Sequence, residues 1–313
     1  DFVKNVPPHD TDEALDGETI LKSIEAQHGI FVERARGIYS FSHLTCQSYF
    51  TAKYSADNAS RGTLARLVKN CTDFRWREVF LLTTSLLPDS GPFMNIFRRG
   101  LDALVQDDEK LVALLAWADK KASSVKTDVW YVRASYLTKE LYWQSRDPIA
   151  IAGIWFDYLT PTDPSASYDL TIDDAFLSAL RFAVGYANPG ARGRALSDHL
   201  AHRLATARNC ALDKGLYELA GELAALAVPP VDATFAEWKD FIDKLIGLMA
   251  KHRDIAHRRG LTEEQELTLV NYFYATRLLM ECLDLATMPP EEKRSVMESL
   301  FAPPGRAGGE QGG

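Results

Sequence analysis

The stretch GIFVERARGIYSFSHLTCQSYFTAKY, Gly29 to Tyr54, decides how this chain is read. Gly29 can end a preceding helix in the left-handed conformation that a missing Cβ permits. Phe31 to Arg34 and Ile38 to Phe41 have strand composition, and Arg36-Gly37 between them is turn chemistry. Ser42 reads as an N-cap, which places His43 in the exposed first turn of a helix running to about Ala56. Upstream, Ile20, Leu21 and Ile24 form a short apolar stripe at helical spacing. A helix, a tight β-hairpin and a second helix in that order predict a winged-helix segment with the hairpin as its wing.

From Ser60 onward the pattern is helical almost throughout. Phe74 to Leu87 is apolar on nearly every side and predicts a buried helix stopped by Pro88. Further helices are predicted over Pro92 to Val105, Glu109 to Ala122, Val129 to Trp143, Ala175 to Tyr186, Ala195 to Ala211 and Tyr217 to Leu226. Two late ones carry their own start signals: Thr234 with Glu237, and Thr262 with Gln265, have the spacing of a capping box. A last helix is predicted over Pro290 to Phe301. The fold class is therefore mainly α. Residues 1–57 form a short winged-helix segment with a β-hairpin, 58–301 an irregular α-helical array of stacked hairpins without a fixed repeat period, and 302–313 a disordered tail rich in Gly and Pro.

Composition narrows the function classes. With 46% hydrophobic residues in 313, the chain has ample material for a buried core. Its 43 acidic against 35 basic side chains, a net charge of −8, disfavour non-specific nucleic-acid binding, which depends on Lys and Arg neutralising phosphates. No apolar run approaches the roughly 20 residues of a membrane span. Cys46, Cys71, Cys210 and Cys282 are scattered, with no pair at metal-ligand spacing; reduced thiols in a cytoplasmic protein are expected. No G-x-x-x-x-G-K-[ST] phosphate loop occurs in the sequence.

Most candidate chemistry has a plain structural reading. Asp198, His199 and His202 share a helical face but lack further metal ligands. Lys251, His252, Arg253, His257, Arg258 and Arg259 cluster where positive charge complements a helix C-terminus. Arg75, Arg77 and Glu78 around Trp76 read as an ion-pair network. No arrangement for nucleophilic catalysis stands out, and an enzyme is not expected. Residues 159–171, LTPTDPSASYDLT, read as a long loop; with the 251–259 cluster they are candidates for a recognition surface.

The motif F-V-E-R-A-R-G-I-Y-S-F-S-H-L-T-x-Q-x-Y resembles the winged-helix segment of NACHT-type STAND NTPases, the class that includes NOD-like receptors. Cys46-Gln47-Ser48-Tyr49 departs from the family's usual Phe-Gln-Glu-Tyr/Phe, keeping Gln47 and Tyr49. R-W-R-E-V-F-L-L, A-L-L-A-W-A-D-K-K-A-S-S-V, L-T-x-E-Q with its distal Y-x-x-A-x-x-L-L-x-x-C-L, and E-x-L-F-A-P are similar to the helical C-terminal domain of NACHT proteins in bacterial conflict systems.

The resemblance implies a C-terminal sensor region of a bacterial antiphage immune protein. Its helical array would recognise a phage-derived or phage-induced ligand and relieve autoinhibition of an upstream NACHT domain, which then drives homo-oligomerisation. ADP or ATP with Mg²⁺ would bind that upstream domain, and the implied cofactor-binding residue here is His43, on an ADP phosphate. The alternative is a helical scaffold that binds a host protein without a nucleotide switch. A winged-helix transcription regulator fits less well, because the helix before the wing carries Lys22 as its one firm cation.

Overall fold

A left-handed Gly29 (φ +58°) ends the first helix, α1 (Gly17–His28), and its N–H donates back to the Glu25 carbonyl at 3.0 Å. In this computed structural model, residues 17–123, 128–142, 168–187, 194–230, 232–257 and 259–305 are described. The chain divides into two compact units, Asp1–Phe97 with Glu281–Pro289, and Arg98–Met280 with Pro290–Gly313.

In the first unit α1 leads into β1 (Phe31–Ala35) and β2 (Ile38–Phe41), an antiparallel hairpin that pairs Phe31 with Phe41 and Glu33 with Tyr39. Gly37 takes the positive φ that the turn needs, +73°, and its N–H reaches the Glu33 carboxylate at 2.7 Å. The Glu25 carboxylate accepts from the Glu33 N–H at 3.0 Å and so ties α1 to the hairpin. The Phe31 and Phe41 rings meet across the strands at 4.8 Å, and Phe41 stacks on Phe50 at 5.8 Å, joining the hairpin to α2 (Leu44–Asp57).

The N-cap of α2 is His43, one residue later than the Ser42 expected. The Ser42 N–H donates to the Ile30 carbonyl at 2.8 Å, which ties Ser42 to the hairpin.

After a 3₁₀ turn at Ala59–Arg61 and α3 (Thr63–Val68), a second 3₁₀ turn, Phe74–Trp76, precedes α4 (Arg77–Leu86). The predicted single buried helix over 74–87 is thus split. The Asp73 carboxylate accepts from the Arg75 N–H and starts the chain in the tighter turn, which leaves Phe74 75% exposed. α4 buries one face only, through Val79, Phe80, Thr83 and Thr84. Phe80 meets Phe97 at 4.9 Å and Phe93 at 6.0 Å, all three fully buried. Segment 281–289 belongs to this unit through Arg77 on Glu281 (2.8 Å) and the Ser90 N–H on the Thr287 carbonyl (2.9 Å). Burial lifts the Cys71 and Cys282 thiols to about 11 and about 12, far from reactive thiolate.

The second unit is all helix among its described residues. α5 (Gly91–Val105) passes into α6 (Glu109–Ala122), α7 (Val129–Tyr142), α8 (Tyr168–Ala187), α9 (Arg194–Asp213), α10 (Tyr217–Ala225), α11 (Phe235–Arg253), α12 (Glu263–Leu285) and α13 (Pro290–Glu298). Sequence neighbours pack in pairs, α6 on α7, α8 on α9 and α9 on α10, while α11 returns onto α8. The helical array expected from periodicity is what forms. Both capping boxes are made: the Thr234 side chain and Glu237 exchange hydrogen bonds, as do Thr262 and Gln265 at 3.0 and 3.2 Å.

Two boundaries differ from expectation. α8 begins at Tyr168, so residues 168–171 of the expected loop are helical, and 159–167 lie outside the described residues. α13 stops at Glu298 because Phe301 adopts a left-handed φ of +59° and turns its ring, fully buried, against Tyr272 and Phe273 at 5.7 and 5.6 Å. Of the expected tail, Ala302 is buried, and 306–313 lie outside the described residues. Among the described residues no helix is long and apolar enough to cross a membrane.

Phe80→Ala should lower stability by about 3–5 kcal/mol, whereas Phe74→Ala should change it by less than about 0.5 kcal/mol. Urea unfolding of the two variants checks the inward and outward placement of residues only six apart.

Candidate functional site

His43 is exposed at the N-terminus of α2, with extended backbone (φ −130°, ψ 140°) and no capping bond from its ring. The first N–H groups of a helix have no intrahelical partner and carry the positive end of its dipole. The His43 ring stands beside these N–H groups. Elsewhere in the hairpin and α2 Leu44 is 81% exposed, Ile38 61% and Tyr54 59%.

The basic run after α11 is differently built. Asp254 (φ +51°) and Ala256 (φ +62°) are both left-handed, a conformation costing roughly 1–3 kcal/mol per non-glycine residue unless surrounding bonds enforce it. Here they are enforced. The Trp117 indole donates to the Asp254 carbonyl at 2.9 Å and Lys121 to the Arg253 carbonyl at 2.5 Å. Glu140, fully buried on α7, accepts from the N–H groups of Ala256 and His257, both at 2.7 Å, and from Arg259 at 3.3 Å. Burial raises the Glu140 carboxyl above its ordinary range, against the pull of Arg259 and the two N–H donors.

One turn earlier Arg253 inserts between Asp173, itself 1% exposed, and Asp169, at 2.6 Å from each. Asp173 also takes the Tyr136 hydroxyl at 2.6 Å and lies 3.3 Å from Lys121. Burial works against the Arg253 charge, but its two aspartates outweigh that and raise it further. Asp169, penalised by the same burial, is held below its ordinary range by Lys214 and Arg253.

Among the other described residues of the run, Lys251 pairs with Glu218 and Glu222, the His257 ring lies 2.7 Å from Asp254, and the His252 Nε2 lies 3.3 Å from Glu222 without a hydrogen bond. The acids that face the described residues of this cluster come mostly from α7, α8 and α10, so the cluster serves as a clasp.

A second clasp closes α13. The carbonyls freed by the turn at Phe301 are taken by two buried arginines, Arg133 on Glu298 (2.6 Å) and Leu300 (3.0 Å), and Arg98 on Ser299 (2.9 Å). Arg133 is in turn held by Asp119, and Arg98 by Asp102. The sequence patterns W-A-D-K-K and E-x-L-F-A-P thus have a physical content: Trp117, Asp119 and Lys121 on one side, and the carbonyls around Phe301 on the other.

Other candidates are not brought together. His199 stacks on Phe182 at 5.6 Å, and Asp198, His199 and His202 are all exposed. Arg75 pairs with Asp73 and Arg77 with Glu281, while Glu78 is exposed. Arg258 lies outside the described residues. The sequence reading missed a different group, Glu218, Glu222 and His252, whose ligating atoms lie within 4.8 Å of one another. The four-residue spacing of the two carboxylates was its one visible signal; the histidine comes from another helix.

Arg253→Ala should cost about 3–5 kcal/mol, since it strands a buried carboxylate, while His257→Ala at the exposed pair should cost less than about 1 kcal/mol in the same urea assay. Because Asp169 is depressed when folded, its contribution is present above the ordinary carboxyl value of 3.8 and fades as pH falls through the folded value. Asp169→Asn should therefore flatten the loss of stability as pH falls below about 4, read as the urea midpoint against pH.

Residues 225–303 match the family model described as NACHT C-terminal Helical domain 2. None of the curated proteins and none of the solved structures compared with the chain matches it. The matched span holds α11, α12, α13 and the clasped turns that follow α11 and α13. This part of the chain is a NACHT-associated C-terminal helical region.

Proposed function

We propose that this chain is the sensor and regulatory region of a bacterial NACHT immune protein that defends against phage. The observation that carries the reading is the NACHT C-terminal helical match over 225–303, downstream of a helix–hairpin–helix segment with His43 at an exposed helix start. In this reading residues 1–57 are the winged-helix end of a nucleotide-binding module and 58–301 the cytoplasmic sensor. An upstream NACHT domain supplies the phosphate loop and the Mg²⁺ ligands, because the chain contains no phosphate loop of its own. His43 and the first N–H groups of α2 are what this chain offers to an ADP phosphate. Their position at the positive end of a helix fits that role, and the exposed Ile38, Leu44 and Tyr54 fit a surface covered by the upstream domain.

The switch follows from the arithmetic of two states. A phage-derived or phage-induced ligand activates only if it binds the open state better than the closed one, whatever its affinity. Opening then frees the upstream domain to form homo-oligomers.

In the full-length protein His43→Ala should release ADP about tenfold faster or more and raise basal activity, as loss of one charge-assisted bond to phosphate does. ADP retained through purification as in the wild type would reject His43 as a latch. Plaque counts on cells carrying the full-length gene, intact or with residues after Tyr54 deleted, test the sensor role. Protection lost on truncation, with stable protein present, supports it. No protection by the intact gene against a broad phage panel would favour a helical scaffold binding a host protein.

A further inference from the structure

Glu218 and Glu222 stand one turn apart on α10, and His252, near the end of α11, faces them from the neighbouring helix. One ligand atom from each lies within 4.8 Å of the other two. A first-row cation bound at about 2.0–2.2 Å by nitrogen and oxygen holds such atoms roughly 3–4 Å apart, so small side-chain rotations suffice to close the set.

The His252 Nε2 is buried and makes no hydrogen bond. It sits 3.3 Å from a Glu222 oxygen, within ion-pair range but off hydrogen-bond geometry. A buried nitrogen with an unused lone pair or proton is a cost that a ligand would remove.

A cation already stands here. The Lys251 ammonium lies 2.8 Å from Glu218 and 2.6 Å from Glu222. Its side chain is 53% exposed, so it can swing into water at little cost. Two carboxylates and a neutral imidazole then carry a charge of −2, matched by one divalent ion. A cavity of about 340 Å³ lined by Gly215, Leu216, Tyr217, Glu218, Leu219 and His252 opens beside the group and leaves room for water to complete the coordination.

We propose that Glu218, Glu222 and His252 bind a first-row divalent cation of the zinc type, which displaces Lys251 and staples α10 to α11. The chemistry selects the class: one imidazole and two carboxylates suit Zn²⁺, and the absence of a thiolate from the set disfavours softer ions. The two carboxylates precede the family match, which begins at residue 225, and the site does not depend on the nucleotide switch.

Calorimetric titration of the chelator-treated chain with Zn²⁺ alone tests this. A background of Cys46→Ser and Cys210→Ser removes the partly exposed thiols. One equivalent should bind and raise the melting temperature. Glu222→Gln and His252→Ala should each weaken binding about tenfold or more. Lys251→Ala, at an exposed position that leaves folding intact, should tighten it several-fold by removing the competing ammonium. Absence of binding by the parent, unchanged affinity in Lys251→Ala, or parent-like binding by a folded Glu222→Gln or His252→Ala would each overturn the site.

Discussion

Two carboxylates with no access to water, Asp173 and Glu140, organise the second unit. Each would be prohibitively costly alone, and each is therefore surrounded by donors brought from several helices. Asp173 collects Arg253 from α11, Tyr136 from α7 and Lys121 from α6. Glu140 collects backbone N–H groups from the turn after α11 together with Arg259. Apolar packing alone would let these helices slide or rotate against one another. A buried charge with fixed donors admits far fewer arrangements, and it explains how Asp254 and Ala256 can sit left-handed without glycine.

The same device recurs at the end of α13. Arg133 and Arg98 take the helix-terminal carbonyls while Asp119 and Asp102 balance their charge. Helix ends are where an α-helical array has unsatisfied backbone groups, and here long cationic side chains from α5 and α7 satisfy them. Both clasps fall on turns within residues 225–303, the span that matches the NACHT C-terminal helical family. A region with this construction resists gradual deformation.

The first unit has another character. Its hairpin rests on a few aromatic contacts and one carboxylate tie, Glu25 to Glu33, and leaves several apolar side chains at the surface. His43 stands exposed at a helix N-terminus. An exposed imidazole can respond to what binds beside it, whereas the buried ion pairs of the second unit are committed to structure.

What the sequence by itself determined were the features set within about four residues: the turn at Gly37, the end of α1 at Gly29, the capping boxes at Thr234 and Thr262, and the mainly helical class of the described residues after 60. These rest on backbone conformation and short-range hydrogen bonds, which local composition encodes. The helix start at His43 in place of Ser42 escaped, because the competing acceptor, the Ile30 carbonyl, belongs to the opposite side of a hairpin. The basic run 251–259 was visible as charge but not as a clasp, since Asp173, the partner of Arg253, is 80 residues away; likewise the Glu298 carbonyl in the second clasp is 165 residues from Arg133. The grouping of Glu218 and Glu222 with His252 was likewise decided by how α11 lies against α10. Charge pairing across such separations depends on which helix faces meet, and only the packed tertiary structure sets that.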